Sequence, residues 1–176
     1  GVEKQGDKTS AVMGKVKNML GAAGVAGAAL AVGKAINQTI TEWSAYAEGV
    51  EKAARLSGIG TEEMSRLIQA ADDFRVSEDA LKGSMVMALK NGFEPSIKNL
   101  ANLSDEYLAL KSPTDKAALA SKIFGRSYAD MEPLLRQGGD AIRAGTDAIS
   151  GNLIVTEAAV RQNKEYIKAT DELGDT

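Results

Sequence analysis

The chain has 176 residues, a formal net charge of −3, no cysteine and no histidine. This removes disulfides, a thiol nucleophile and an imidazole base, and it leaves any zinc site to carboxylates alone, against that ion's preference for nitrogen and sulfur. Hydrophobic residues make up 44% but aromatics only 5%, with three prolines, so aliphatic side chains must fill the core and long 3.6-residue periodicities predict an all-α protein.

Residues 1–36 carry five lysines against two acids, a basic end on an otherwise acidic chain. Within it, Asn18 to Gly33 is uncharged and rich in glycine and alanine. These sixteen residues fall short of the ~20 that a bilayer core needs. Gly21, Gly24 and Gly27 recur every third position. Each glycine inside a helix costs about 1 kcal/mol relative to alanine, yet small residues let helices approach closely. Three readings follow: close packing in a helix pair or bundle, contact with a membrane, or a flexible arm.

Ile40, Trp43, Ala47, Val50 and Ala54 then form a helical stripe, so one long helix is expected from about Ser10 to Leu56, broken or frayed near the glycines and stopped by Ser57-Gly58-Ile59-Gly60. Thr61 is expected to cap the next helix, with Glu62 and Glu63 in its first turn. Met64, Leu67, Ile68 and Ala71 form its apolar face. Asp72 to Val76 reads as a link and Ser77 as a second cap. Leu81, Met85, Ala88 and Leu89 make the following stripe, ended by Asn91-Gly92.

Pro95 suits a first helical position, and Ile97, Leu100, Tyr107 and Leu108 continue the pattern through Ser104-Asp105-Glu106. Ser112 to Asp115 reads as turn and cap. Leu119, Ala120, Ile123 and Phe124 face inward before Gly125, and Met131, Leu134 and Leu135 form a short stripe before Gly138-Gly139. From Gly138 to Gly151 the pattern loosens. Leu153-Ile154-Val155 reads as a hydrophobic staple ahead of Thr156 rather than a strand. The last helix then reaches about Leu173, with Val155, Ala159, Tyr166, Ala169 and Leu173 on heptad-like steps and Gln162 interrupting. The expected organisation is a basic arm and amphipathic helix over 1–56, a compact multi-helix segment over 57–151, and an extended helix over 152–176 that continues in a longer parent.

Motifs for chemistry are sparse. Gly27 to Ala35 resembles a phosphate loop faintly, but five residues separate Gly27 from Gly33-Lys34 and Ala35 stands where a magnesium-binding hydroxyl belongs. Asp72-Asp73, Glu78-Asp79 and Asp105-Glu106 are acid pairs that read as links and helix starts, not as a glycosidase pair. Ser127 follows Gly125-Arg126 without a histidine base, so it reads as a cap. Arg126, Arg136 and Arg143 read as partners of surface acids. No catalytic, cofactor-binding or metal-binding residue is assigned.

The most distinctive stretch is Lys122 to Gly139, in which Phe124-Gly125-Arg126-Ser127 is followed by Leu134-Leu135 and Gly138. It resembles a block found in tail tape measure proteins of long-tailed bacteriophages and prophages. The similarity runs from about Tyr46 to Leu173. It takes in Leu56-Ser57-Gly58-Ile59-Gly60-Thr61-Glu62-Glu63-Met64, then Leu103-Ser104-Asp105-Glu106-Tyr107, then Ser112-Pro113, and finally Leu153-Ile154-Val155-Thr156-Glu157. Pro133 departs from the pattern and fits only if its helix starts near 127–130, leaving proline in the first turn.

The resemblance implies a structural protein, not an enzyme, that sets tail tube length and assists DNA ejection. It implies no cofactor and no sequence-specific nucleic acid. The implied partners are its own helices, the tail tube protein, tail tip proteins and tail assembly chaperones. The implied locations are the tail tube lumen of the virion and, during assembly, the bacterial cytoplasm. The alternative expectation is a membrane-active or pore-forming helical module acting on a host membrane through residues 18–36.

Overall fold

The computed structural model describes residues 33–174. Helices and turns account for the regular structure of these residues, and no strand occurs among them. In chain order the helices are α1 (Gly33–Ser57), α2 (Thr61–Ala71), α3 (Glu78–Lys90), α4 (Ile97–Ala109), α5 (Pro113–Phe124), α6 (Tyr128–Leu135), α7 (Gly139–Asp147) and α8 (Glu157–Gly174). Single 3-10 turns occur at Gly125–Ser127 and Gly151–Leu153. The expected all-α class is therefore observed. The glycine-rich run with Gly21, Gly24 and Gly27 lies outside the described residues.

The chain divides into two units. One spans Lys52–Ile149, and the other is assembled from residues up to Glu51 and from Ser150 onward. Within Lys52–Ile149, α4 packs on α6 and α7, α3 on α5 and α6, and α2 on α3 and α7. The interior holds Met64, Leu67, Leu81, Met85, Leu100 and Phe124, each 0–1% exposed. With Leu134 and Leu135, and apart from Phe124, these are the aliphatic and sulfur side chains that a composition poor in aromatics requires. Burying each contributes roughly 1.5–3 kcal/mol.

Three helix ends share one device. The N–H of Ile59 donates to Ala54 O (3.1 Å), that of Val76 to Ala71 O (2.9 Å) and that of Phe93 to Ala88 O (2.9 Å). Such a six-to-one bond needs a left-handed residue just before the donor. Gly58 and Gly92 supply it as the sequence predicts, but at the third end the residue is Arg75, with φ of 60°. A side chain in that region is strained by roughly 1–2 kcal/mol. Arg75 is exposed, so an Arg75→Gly substitution removes strain and no buried contact. Its cost is the extra freedom of the unfolded chain. The expected net result is a gain of about 0.5–1 kcal/mol, read as a higher urea midpoint with an unchanged slope.

The capping expectations divide. Ser77 Oγ accepts from Ala80 N–H and Ser112 Oγ from Asp115 N–H, as expected. Thr156 Oγ1 accepts from Ala159 N–H (3.1 Å) at the start of α8. Val155 and Val160, both buried, occupy the two positions of a hydrophobic staple around that cap. Thr61 is different: it is the first residue of α2, Gly60 precedes it, and no side-chain cap forms. Thr61 is itself buried, only 8% exposed. Pro95 lies ahead of its helix, because Ser96 takes the cap position and its Oγ accepts from Asn99 N–H (2.9 Å).

Three further expectations change. The loosened stretch after Gly138 contains α7, whose buried residues are Gly139, Ile142 and Thr146. With one large apolar side chain in that set, the helical period has nothing to show itself with. Pro133 is the sixth residue of α6, one turn deeper than expected, although the helix starts at Tyr128, inside the expected window. In α8 the inner stripe is Val160 and Asn163, both buried, whereas Leu173 is 76% exposed. The heptad-like reading through Ala159, Gln162 and Ala169 is therefore out of phase by about one residue.

Within the unit formed by the two chain ends, Ser44 Oγ donates to Asn163 Oδ1 (2.7 Å) in a buried hydrogen bond. Lys164 Nζ lies 2.9 Å from Glu51 Oε1. These contacts join α1 to α8 across more than a hundred residues of sequence.

Candidate functional site

The fingerprint residues separate into two physical kinds. Phe124, Leu134 and Leu135 are fully buried, at 0% exposure, and belong to the same interior. Gly125 closes α5 with φ of 61° and ψ of −139°, and its N–H donates to Ser121 O. Its backbone conformation is one that a side chain rarely adopts. Gly138 has φ of 90° and ψ of 151° ahead of α7, another glycine region. Arg126 and Ser127 are exposed in the 3-10 turn. Ser127 makes no side-chain cap to α6, because the backbone arrives there already coiled and not extended. The expected capping role of Ser127 is thus corrected.

The end of this block is held by α4. Ser104 is completely buried, and its Oγ has two partners. It donates to Leu135 O (2.8 Å) and accepts from Gly138 N–H (2.9 Å). One residue on, Asp105 Oδ1 accepts from Gly139 N–H (2.7 Å). The two side chains therefore satisfy an end carbonyl of α6 and the first amides of α7. A carboxylate at a helix N-terminus also meets the positive end of the helix dipole. Asp105 does serve a helix start, as the acid pairs were expected to, but the helix is α7; within α4 it sits in the interior.

Glu63 works in the same way: its Oε1 accepts from Ile97 N–H (2.6 Å) at the first residue of α4. At the other end of the block, Asn91 Nδ2 donates to Ile123 O (2.9 Å), fastening the end of α5 to the end of α3. Sequence reading missed Ser104, Asp105, Glu63 and Asn91 as partners. One signal was present: Ser104 falls in the inward phase of α4 with Leu100, Ala101, Leu103 and Tyr107, where a polar residue needs a reason.

Charged side chains border this assembly. Arg136 donates through Nε and Nη2 to Glu132 Oε1 (2.9 and 2.6 Å), and the Tyr107 hydroxyl donates to the same oxygen (3.3 Å). Arg143 bonds Asp140 Oδ1 and Asn102 Oδ1. Arg136 and Arg143 thus have acid partners, and their side chains are well exposed. Lys116 Nζ stands 5.4 Å from the centre of the Tyr107 ring. The hydrogen bond and charge of Glu132 push the Arg136 guanidinium further up.

No protein-family model matches this chain, and no curated protein and no solved structure resembles it significantly.

The Tyr107 hydroxyl is pushed up, first by burial and then by the negative charge of Glu132 and the hydrogen bond to it. The folded state therefore holds the phenol proton more firmly than the unfolded chain, whose value is near 10.0. Stability from this source is fully present below that value and is lost as pH rises through the folded-state value. Wild type is expected to lose stability more steeply than Tyr107→Phe in the window that opens at about pH 10 and extends upward. Urea unfolding across that window measures the difference. Parallel curves for the two proteins would remove Tyr107 from the account.

The described residues contain no group of three or more acids placed to hold a metal ion. A shallow groove within the unit formed by the chain ends is lined by Glu48, Lys164, Ile167, Lys168, Asp171 and Glu172. Its charges are of both signs, three acids against two lysines. The arrangement around Lys122–Gly139 can hold turns and helix ends at fixed angles, and it offers no activated nucleophile.

Proposed function

We propose that this chain is a structural segment of a phage tail tape measure protein, working by helix packing and not by catalysis. The observation that carries the reading is the clamp of Ser104 and Asp105 on Leu135, Gly138 and Gly139. These residues come from two separate pieces of the family resemblance, Leu103 to Tyr107 and Lys122 to Gly139. A spacing that matters to a fold is one that joins pieces in this way, and this supports treating the matches as one pattern. The all-α architecture supports it as well, since an α-helix gains about 1.5 Å per residue and so converts residue number into length.

In this reading the Lys52–Ile149 unit is a folded body within a long helical protein in the tail lumen, not the measuring stretch. Its partners are its own helices, the tail tube and tip proteins and the tail assembly chaperones. Deletion of the coding segment from a phage that carries it tests the proposal. Tails of undefined length, or none, are expected, with peptides of this chain present in purified wild-type particles. Normal tails after deletion, together with absence of the chain from particles, would sink the idea.

A membrane-active role is the second reading, favoured by the uncharged Asn18–Gly33 run behind a lysine-rich end. Dye leakage from anionic liposomes separates the two. Leakage abolished by Gly24→Glu favours insertion, and leakage that is absent or indifferent to the charge counts against it.

A further inference from the structure

We propose that the α1–α8 seam is a clasp that opens on its own: α8 parts from α1 while the core of Lys52–Ile149 stays closed. The first argument is the size of what each unit buries. The largest fully buried side chains among the described residues include Phe124, Met64, Leu67, Met131 and Ile142, all in Lys52–Ile149; in the other unit the described side chains buried to this degree are smaller, Ala47, Val50 and Val155. The free energy of opening a region follows the apolar area that it removes from water, so the two units differ in their resistance to opening.

The second argument is the chemistry of the seam. It includes a buried polar pair, Ser44 Oγ donating to Asn163 Oδ1. A buried hydrogen bond between neutral side chains fixes which residues meet but adds little net stability, because both groups bond to water when the seam opens. The third argument is access. An open groove in the same unit is lined by residues of both helices, Glu48 from α1 and Lys164, Ile167, Lys168, Asp171 and Glu172 from α8, so charged side chains line part of the contact. The seam is specific in register and inexpensive to open, which is what a clasp requires. It involves no residue of the Ser104–Asp105 clamp and does not depend on the tail reading.

The chain carries its own probe: its sole tryptophan, Trp43, precedes Ser44 on α1. Urea unfolding followed by Trp43 fluorescence and by far-ultraviolet dichroism tests the clasp, with hydrogen exchange of the α8 amides as a second readout. The fluorescence transition is expected at lower urea than the dichroism transition, and α8 amides are expected to exchange at least about tenfold faster than those of α4. Ser44→Ala leaves Asn163 Oδ1 without its donor and is expected to lower the first transition alone. Ser44→Ala with Asn163→Leu replaces the buried polar pair with apolar side chains and is expected to raise it. Coincident transitions, or a Ser44→Ala shift shared equally by both probes, would overturn the proposal.

Discussion

Gly139→Ala is expected to lower stability by about 3 kcal/mol, a loss of roughly 6–12 °C in Tm. A methyl group at Gly139 lies 2.7 Å from the main-chain oxygen of Ala101 and also overlaps the Asp105 carboxyl. The obstacle is helix backbone, so it cannot rotate aside as a flexible side chain does. Either α7 moves away from α4 or the start of α7 unwinds. Both outcomes stretch the Gly139 N–H to Asp105 bond, now 2.7 Å, so overpacking and the loss of a charge-assisted bond add together. Thermal unfolding of the variant beside Gly151→Ala measures the effect, since a methyl at Gly151 meets nothing within 4 Å. Equal melting temperatures for the two variants would show that α4 and α7 are not packed this closely.

Ser104→Ala is expected to cost about 2–3 kcal/mol, although it removes one oxygen atom. The hydroxyl is the partner of Leu135 O and of Gly138 N–H, and Ser104 is wholly buried. Its removal leaves two main-chain groups short of a bond where water does not reach them easily, and an unsatisfied buried group costs about 1–3 kcal/mol. Ser104→Thr keeps the oxygen and is expected to lose less, limited by room for the added methyl. Exchange of the Gly138 and Gly139 amides locates the effect: their protection should fall before that of the α3 amides. A Ser104→Ala protein as stable as wild type would mean that the hydroxyl does not carry the junction.

The contrast between caps shows what the sequence makes readable. Ser77, Ser112 and Thr156 cap the helix that follows them immediately, so donor and acceptor share one short window, and each was expected. Glu63 and Asp105 cap helices that begin 34 residues later. Nothing near Ile97 or Gly139 announces the acid that serves it. In each case the acid lies in a helix of its own, where it looks like an ordinary surface residue. The same reasoning covers α7. Helix periodicity is visible only when large apolar residues mark the inner face, and Gly139, Ile142, Gly145 and Thr146 mark it with close approach instead. A methyl at Gly145 would lie 2.6 Å from the Phe74 ring, so the absence of a side chain is what seats this helix.

The fingerprint residues were legible as turn formers and core, since Gly125, Gly138, Phe124, Leu134 and Leu135 hold those places. Arg126 and Ser127 are surface residues of the turn, with no cap from Ser127. The stripe of α8 was misjudged because its centre is Asn163, a buried amide that a hydrophobicity pattern skips. Its need for Ser44, 119 residues earlier, is a tertiary fact.

That separation bears on how the protein is made. A ribosome adds roughly 5–20 residues per second, so α1 emerges roughly 6–24 s before Asn163 exists to meet Ser44. Over that interval the residues of Lys52–Ile149 are added in turn, the last of them only roughly 1–3 s before Asn163, and the residues of α1 that await α8 have no α8 to meet. The seam therefore cannot form until α8 has been made. Its timing is set by translation and not by diffusion, and slow codons after Ile149 would lengthen the wait without altering a single residue.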